Sequence, residues 1–314
     1  MSGIGKLSIR LIQALILLML LGVIILFTPW GRYEVVLLRA MLEGCPGCPR
    51  LQASWMSAVD LRRQDVLRER TDQTVKVLPA SSAGYRLFDT VMGRFWVPAR
   101  PGDRVGLVND LAEQQRKIYG ENENGVRVGD VVLDCGANVG VFTREALFRG
   151  AKLVVAIEPV PENVECLRRN FSEEISAKRV VVYPKGVWDK DDLLPIHSHS
   201  YSSVADSSVL NEGNSDQEVK LPMTTIDHVV DELKLERVDF IKMDIEGAEQ
   251  RALAGARRTL QAYHPRLSLS VYHLADDPLR IPLLVRQAWP QYQTICGPVA
   301  GGSRPIRPGV LYFR

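Results

Sequence analysis

Between Gly129 and Phe171 the chain twice repeats one pattern, a five-residue apolar run followed by a helical segment. That repetition restricts its possible folds more than any other feature. Val131-Val-Leu-Asp-Cys135 and Leu153-Val-Val-Ala-Ile157 are short and rich in β-branched residues, so both read as strands covered on their two faces. Val141 to Arg149, stopped by Gly150, and Pro161 to Phe171, opened by a proline suited to a first helical turn, read as the helices that follow them. Val180–Tyr183, Val238–Lys242 and Leu267–Val271 continue the series as third, fourth and fifth strands. Strands that alternate with helices are joined by right-handed crossovers. The expected fold class is therefore α/β, with a doubly wound, mostly parallel sheet.

Upstream the signals are of other kinds. Tyr85–Thr90 and Arg94–Pro98, separated by Val91-Met92-Gly93, predict a β-hairpin, and Asn109 to Tyr119 predicts a helix stopped by Gly120. From Gly31 to about Ala83 the apolar stripe Leu51, Trp55 and Val59 and the charge-rich stretch Arg62 to Arg70 predict a helical stalk. At the start, Leu11 to Phe27 is apolar except for Gln13, with Lys6 and Arg10 before it and Trp30, Arg32 and Tyr33 after it. That run meets the lower limit of about 17 residues for crossing a bilayer, and its flanks suit headgroup depth. No small-x-small cleavage site follows Phe27, so a retained transmembrane helix is expected in place of a removed signal. The chain then divides into an anchor over 1–32, a stalk over 33–84 and one large domain over 85–314.

Net charge is +2, from 39 basic and 37 acidic side chains, which gives no electrostatic ground for a nucleic-acid partner. A small or neutral ligand fits better. Cys45, Cys48, Cys135, Cys166 and Cys296 form no regular framework, and a reducing compartment is the simpler expectation.

Three clusters carry chemistry. The first strand ends in Asp134-Cys135-Gly136-Ala137-Asn138-Val139-Gly140 and runs into a helix. Glycines at such a corner admit a ligand to the backbone, and the helix start offers free N–H groups. Glu158 stands directly after the second strand, where a carboxylate can accept both hydroxyls of a ribose. Gly136 and Gly140, with Asn138 between them, do not make the G-x-G-x-x-G of a pyrophosphate reader. Asp134 also suits a ligand that carries an amino group. The third cluster, Lys242-Met-Asp-Ile-Glu-Gly-Ala-Glu249, lies at the carboxyl end of the fourth strand, so Asp244 is expected in the same crevice as Gly136 and Glu158. Its alternative role is a helix cap.

In order along the chain, Asp134 to Gly140, Glu158-Pro159, Thr224-Thr-Ile-Asp227, Lys242 to Glu249 and Ser270-Val-Tyr-His273 resemble the FkbM family of S-adenosylmethionine-dependent methyltransferases. The resemblance covers about 85–314. It implies a Rossmann-like class I methyltransferase fold that acts on a hydroxyl of a sugar or other small molecule. It also implies that Asp134, Gly136, Asn138 and Gly140 line the methionine end of S-adenosylmethionine, that Glu158 holds the ribose, and that Gly186 and Val187 lie on the adenine side. Asp244, with Glu246 beside it, then faces the transferred methyl and the acceptor. Because that cofactor is made in the cytosol, the catalytic domain is expected to face the cytoplasm.

An aliphatic hydroxyl must lose a proton as it is methylated, and Asp244 and His273 are the candidate bases. His273 serves equally well as a residue that closes its strand. The spacing of Asp244, Glu246 and His273 demands no divalent ion, and none is expected. His197-Ser-His199-Ser-Tyr201-Ser-Ser203 reads as part of a polar, solvated loop that could cover a substrate. Two other classes stay open at this point, a nicotinamide-dependent oxidoreductase and a binding protein that keeps the fold without turnover.

Overall fold

The computed structural model describes residues 63–198, 207–208, 218–299 and 308–314. The apolar run at 11–27 and the first part of the stalk lie outside the described residues. Among the described residues no helix is long and apolar enough to cross a membrane. The longest, Asp103–Arg116, has 14 residues and contains Asp103, Arg104, Asp110, Glu113 and Arg116. At 1.5 Å per residue it reaches about 21 Å, short of the ~30 Å of a hydrocarbon core. The expectation of a transmembrane helix, and with it that of a single-pass membrane protein, thus finds no support among the described residues.

Helix α1 (63–74) leads into an antiparallel meander, β1 (Lys76–Ser82), β2 (Tyr85–Thr90) and β3 (Gly93–Pro98). The hairpin expected at Tyr85–Pro98 is present, in register from Tyr85↔Pro98 to Thr90↔Gly93. Its buried side chains Phe88, Phe95 and Val97 pack on Leu107 and Leu111 of α2 (Asp103–Arg116) and on Val139 and Val141. The meander is thereby fastened to the turn that follows the next strand.

The main sheet has seven strands in the order β13-β14-β12-β11-β4-β5-β6. In chain order its parallel part comprises β4 (Val131–Cys135), β5 (Leu153–Ile157), β6 (Val180–Tyr183), β11 (Phe240–Met243) and β12 (Arg266–Ser270). Helices α3 (Val141–Phe148), α4 (Pro161–Asn170) and α5 (Ser172–Ser176) connect the first three strands. After β6 the chain forms a small second sheet from β7 (Gly186–Val187), β8 (Asp192–Ser198), β9 (Ser207–Ser208) and β10 (Glu218–Thr224). His197 is part of this ladder, opposite Glu218 and Ser208, so the polar loop expected there is in part sheet. Helix α6 (Ile226–Glu232) leads to β11, and α7 (Glu249–Ala254) and α8 (Arg257–Tyr263) to β12. Helix α9 (Asp277–Ala288) precedes a closing antiparallel pair, β13 (Thr294–Cys296) and β14 (Val310–Phe313).

Alternation along the strands builds two apolar layers. Leu133, Val155, Ile241, Leu267 and Leu269 meet Ile226, Val229, Leu260, Ile281 and Val285 of α6, α8 and α9. Val132, Val154 and Phe240 meet Tyr119, Phe142 and Ala146 on the other face. Cys135 is a free thiol buried in the first of these layers, and Cys166 is one buried against the meander. Cys296 is disulfide-bonded, against the expectation of a reducing compartment.

The topology sets the place of the site. From β4 the chain moves outward through β5 and β6, then returns to lay β11 on the other side of β4. The connections after β4 and after β11 leave toward opposite sides of the sheet, so a crevice opens outside their carboxyl ends.

Candidate functional site

A cleft lies at that switch point, lined among others by Gly136, Asn138, Glu158, Gly186, Val187, Asp244 and Glu246. These are seven of the residues singled out in the sequence. Asp134, Gly140 and His273 are not in its lining.

The floor is built around one register pair. Asp134 of β4 stands beside Lys242 of β11, and both are buried. Lys242 Nζ lies 3.2 Å from Asp134 Oδ1 and donates to the carbonyl of Gly136 at 2.8 Å. Thr143 donates to Asp134 Oδ2 at 2.7 Å. Burial opposes the charge of Lys242, yet Asp134 and Asp244 outweigh it and hold the ammonium above its ordinary pKa. Asp134 therefore acts on the cleft through Lys242, which fixes the turn.

That turn needs a left-handed residue at its first position, and Gly136 has φ 77°. The amides of Gly136 and Ala137 both donate to Ile157 O at 3.0 Å, which ties the turn to the end of β5. Asn138 also has positive φ, at 51°, and its amide donates to Glu158 Oε2 at 2.9 Å. Glu158 Oε1 accepts from the amide of Val160 at 3.0 Å and from Asn163 at 3.3 Å. Burial nonetheless pushes the Glu158 carboxyl upward. Gly140 lies behind, against Phe171 and Leu167, where it lets α3 pack on α4.

At the other end, Asp244 Oδ2 accepts a 2.6 Å bond from the hydroxyl of Tyr119. Burial opposes the Asp244 charge, but Lys242, His273 and the Tyr119 bond together lower its pKa. His273 follows β12, with Nε2 at 3.5 Å from Asp244 and 3.4 Å from Glu246, and Nδ1 at 3.0 Å from Glu249. Burial works against the imidazolium, but the Glu249 carboxylate, helped by Asp244 and Glu246, pushes His273 up to about 9.

A raised histidine stabilises the fold fully below its unfolded pKa near 6.5, and the gain is lost as pH climbs through the folded value. Unfolding free energy is expected to fall by roughly 2–3 kcal/mol between pH 6 and pH 10 from this group. Urea titrations at the two pH values check it, with His273→Gln expected to flatten the difference. An unchanged slope in that variant removes His273 as the cause.

The sequence reading missed Asp110, Glu113 and Tyr119, which line the cleft from α2 and its end. Burial first, and the charge of Asp244 with it, push Asp110 up to about 7 and Glu113 up to about 8, against the pull of Lys242. A clue lay in the i, i+3 spacing of the two acids, which places them on one face of their helix.

An α/β sheet of this order, with its cleft at the switch point, gives a methyltransferase-like fold. Residues 134–288 match the family model of the methyltransferase FkbM domain, so this part of the chain is an FkbM-type methyltransferase domain. It is 25% identical over 178 residues to the 31-O-demethyl-FK506 methyltransferase FkbM of Streptomyces tacrolimicus, across 48% of this chain and 67% of that protein. Similar solved structures include an FkbM methyltransferase from Methylobacillus flagellatus KT, with 19% identity over 82% of this chain and 59% of that one, at a TM-score of 0.44. The M. jannaschii tRNA m1G37 methyltransferase is 15% identical over 75% of this chain and 56% of that one, with a TM-score of 0.39. The chain thus spans less than two thirds of the length of either solved protein.

Proposed function

We propose that this methyltransferase moves a methyl group from S-adenosylmethionine to a hydroxyl of a small molecule or sugar. The observation that carries the reading is the convergence of Gly136 and Asn138 from β4, Glu158 from β5 and Asp244 from β11 on one cleft. Such a cleft suits an elongated ligand with an amino-acid tail at one end and a ribose at the other. Its residues fit that ligand, because Asn138 Oδ1 and Asn163 Oδ1 are buried with no hydrogen-bond partner. Both asparagines donate or lend an amide to Glu158 or its neighbours, so free acceptors stand beside the ribose position.

In this reading Glu158 holds the ribose, and Gly136 and Asn138 face the methionine end, with Asp134 and Gly140 shaping the turn from behind. Gly186 and Val187 border the adenine side. When bound, the donor supplies a methyl group on a sulfonium, already activated for displacement. The protein's own part is alignment and removal of a proton. Asp244 accepts the acceptor's hydroxyl hydrogen and takes the proton as the oxygen attacks. Glu246, at the mouth, orients the acceptor. His273, protonated at neutral pH, keeps Asp244 ionised and is a poor base in that state. The name of the Streptomyces relative favours oxygen as the atom methylated. The nearly balanced charge of the chain favours a small acceptor over nucleic acid. The function is proposed to reside in the domain that the sequence bounds at 85–314, to which β1 (Lys76–Ser82), paired with β2, also belongs.

Calorimetry of the full chain with S-adenosylhomocysteine tests the reading. Saturable binding at one site per chain is expected, and its absence, together with tight binding of reduced nicotinamide dinucleotide, overturns the proposal. Glu158→Ala is expected to weaken this affinity at least tenfold, about 1.4 kcal/mol. Asp244→Ala is expected to leave affinity nearly unchanged and to lower turnover by about 10²–10⁴-fold. Equal losses of affinity in both variants would contradict the division of roles.

A further inference from the structure

We infer that the ends of β11 and β12 and the start of α7 form a binding site for one divalent transition-metal ion, held by Asp244, Glu249 and His273. Each of the three offers one ligand atom, and these atoms all lie within 4.8 Å of one another. Small shifts of the side chains bring such a set to the ~2.0–2.2 Å ligand distances of a metal centre.

The buried atoms themselves point to an occupant. The side chain of Glu249 is fully buried and that of His273 is 8% exposed. Glu249 Oε1 accepts the amide of Ile245 at 2.9 Å, which fixes the carboxylate and leaves Oε2 buried with no hydrogen-bond partner. Asp244 divides in the same way, Oδ2 bound to Tyr119 and Oδ1 buried without a hydrogen bond. His273 is ion-paired with Glu249, Glu246 and Asp244 at 3.0, 3.4 and 3.5 Å, but neither ring nitrogen meets a carboxylate in hydrogen-bond geometry, and an ion that binds there takes the place of the ring's proton. Buried polar atoms left so are rare, and a cation among them satisfies all at once.

The donor set selects the ion. Two carboxylates and an imidazole with open positions suit Mn²⁺, Fe²⁺ or Zn²⁺ better than the all-oxygen shells of Ca²⁺. Asp244 and Glu246 line the cleft, so a position left open on that side of the ion is reached from it. Water or an acceptor hydroxyl completes the shell there, with Glu246 close enough to hold it. What the ion does, namely lower the pKa of a bound hydroxyl, rests on the methyl-transfer reading. Its presence does not.

Equilibrium dialysis of the full chain, first stripped with EDTA and then equilibrated with Mn²⁺ or Zn²⁺, tests the site. One ion per chain is expected, with affinity lowered at least tenfold in His273→Ala and in Glu249→Gln. His228→Ala is the control, because it removes a different histidine–carboxylate pair, at 3.0 Å from Asp191, on the surface. Should a variant lose its cooperative melt, the wild type alone decides: bound Mn²⁺ is expected to broaden the ring signals of His273 and spare those of His228 in NMR spectra. No retained ion, equal retention in all three variants, or equal broadening of both rings overturns the inference and leaves an ion-pair cluster only. Calorimetry with S-adenosylhomocysteine on the same stripped sample separates this failure from a failure of the donor reading.

Discussion

Lys242→Met is expected to lower the unfolding free energy by about 3–5 kcal/mol, the cost of stranding a buried charge. Asp134 is fully buried, and without the ammonium the hydroxyl of Thr143 is the hydrogen-bond partner it keeps among the described residues. The loss reaches further than the ion pair. The same Nζ fixes the carbonyl of Gly136 and lies 5.2 Å from the Tyr119 ring centroid, so the turn and the cleft wall both loosen. Adding Asp134→Asn to Lys242→Met is expected to recover much of the stability, since no orphan charge then remains. Binding of S-adenosylhomocysteine should stay weak in the double variant. Urea unfolding of the two singles and the double, as a cycle, measures this, and a single-variant loss under about 1 kcal/mol would sink the account.

Gly136→Ala is expected to cost about 3 kcal/mol and to remove donor binding. One part is conformational, since φ is 77° and a Cβ in that region costs about 1–2 kcal/mol. The other part is steric. A Cβ at this place overlaps the carbonyl oxygen of Asp244 and crowds Ile245, so the ends of β4 and β11 must part, at about 1–3 kcal/mol. Gly84 separates the two, because it has φ 78° with nothing within 4 Å of its Cβ position. Gly84→Ala should cost only the conformational part and leave binding intact. If the two substitutions cost the same, close approach of the strand ends is not what the glycine provides.

The parallel strands β4, β5 and β6 could be read from the sequence to the residue, because each is a short run rich in β-branched residues and bounded by a turn. β11 begins at Phe240, two residues later than its apolar run suggests, although the Asp239 backbone already bonds Val131 and Arg266 of the neighbouring strands. The closing strand β14 was not legible. Val310–Phe313 is apolar enough, but it pairs antiparallel with β12, and nothing local announces a reversal of direction. The small second sheet was hidden by Pro195 and Pro222 and by polar residues between its strands.

The site was legible where it depends on the carboxyl ends of strands, a rule of topology. Gly136, Glu158 and Asp244 follow from it. The contribution of α2 did not follow, because Asp110 and Glu113 have the look of a solvated helix face. Only packing of the meander on the other side of α2 turns that face toward the cleft. Helix α2 itself was placed six residues late at its start, since its first turn is opened by Gly102 with no side-chain cap to mark it.

The phenol of Tyr119 gives the resting protein an alcohol of its own at Asp244. On the proposed reading, a visiting alcohol competes with that phenol for the carboxylate. Selectivity would then be governed by the outline of the visitor beyond its reacting oxygen, and one polar end could serve partners of quite different bulk.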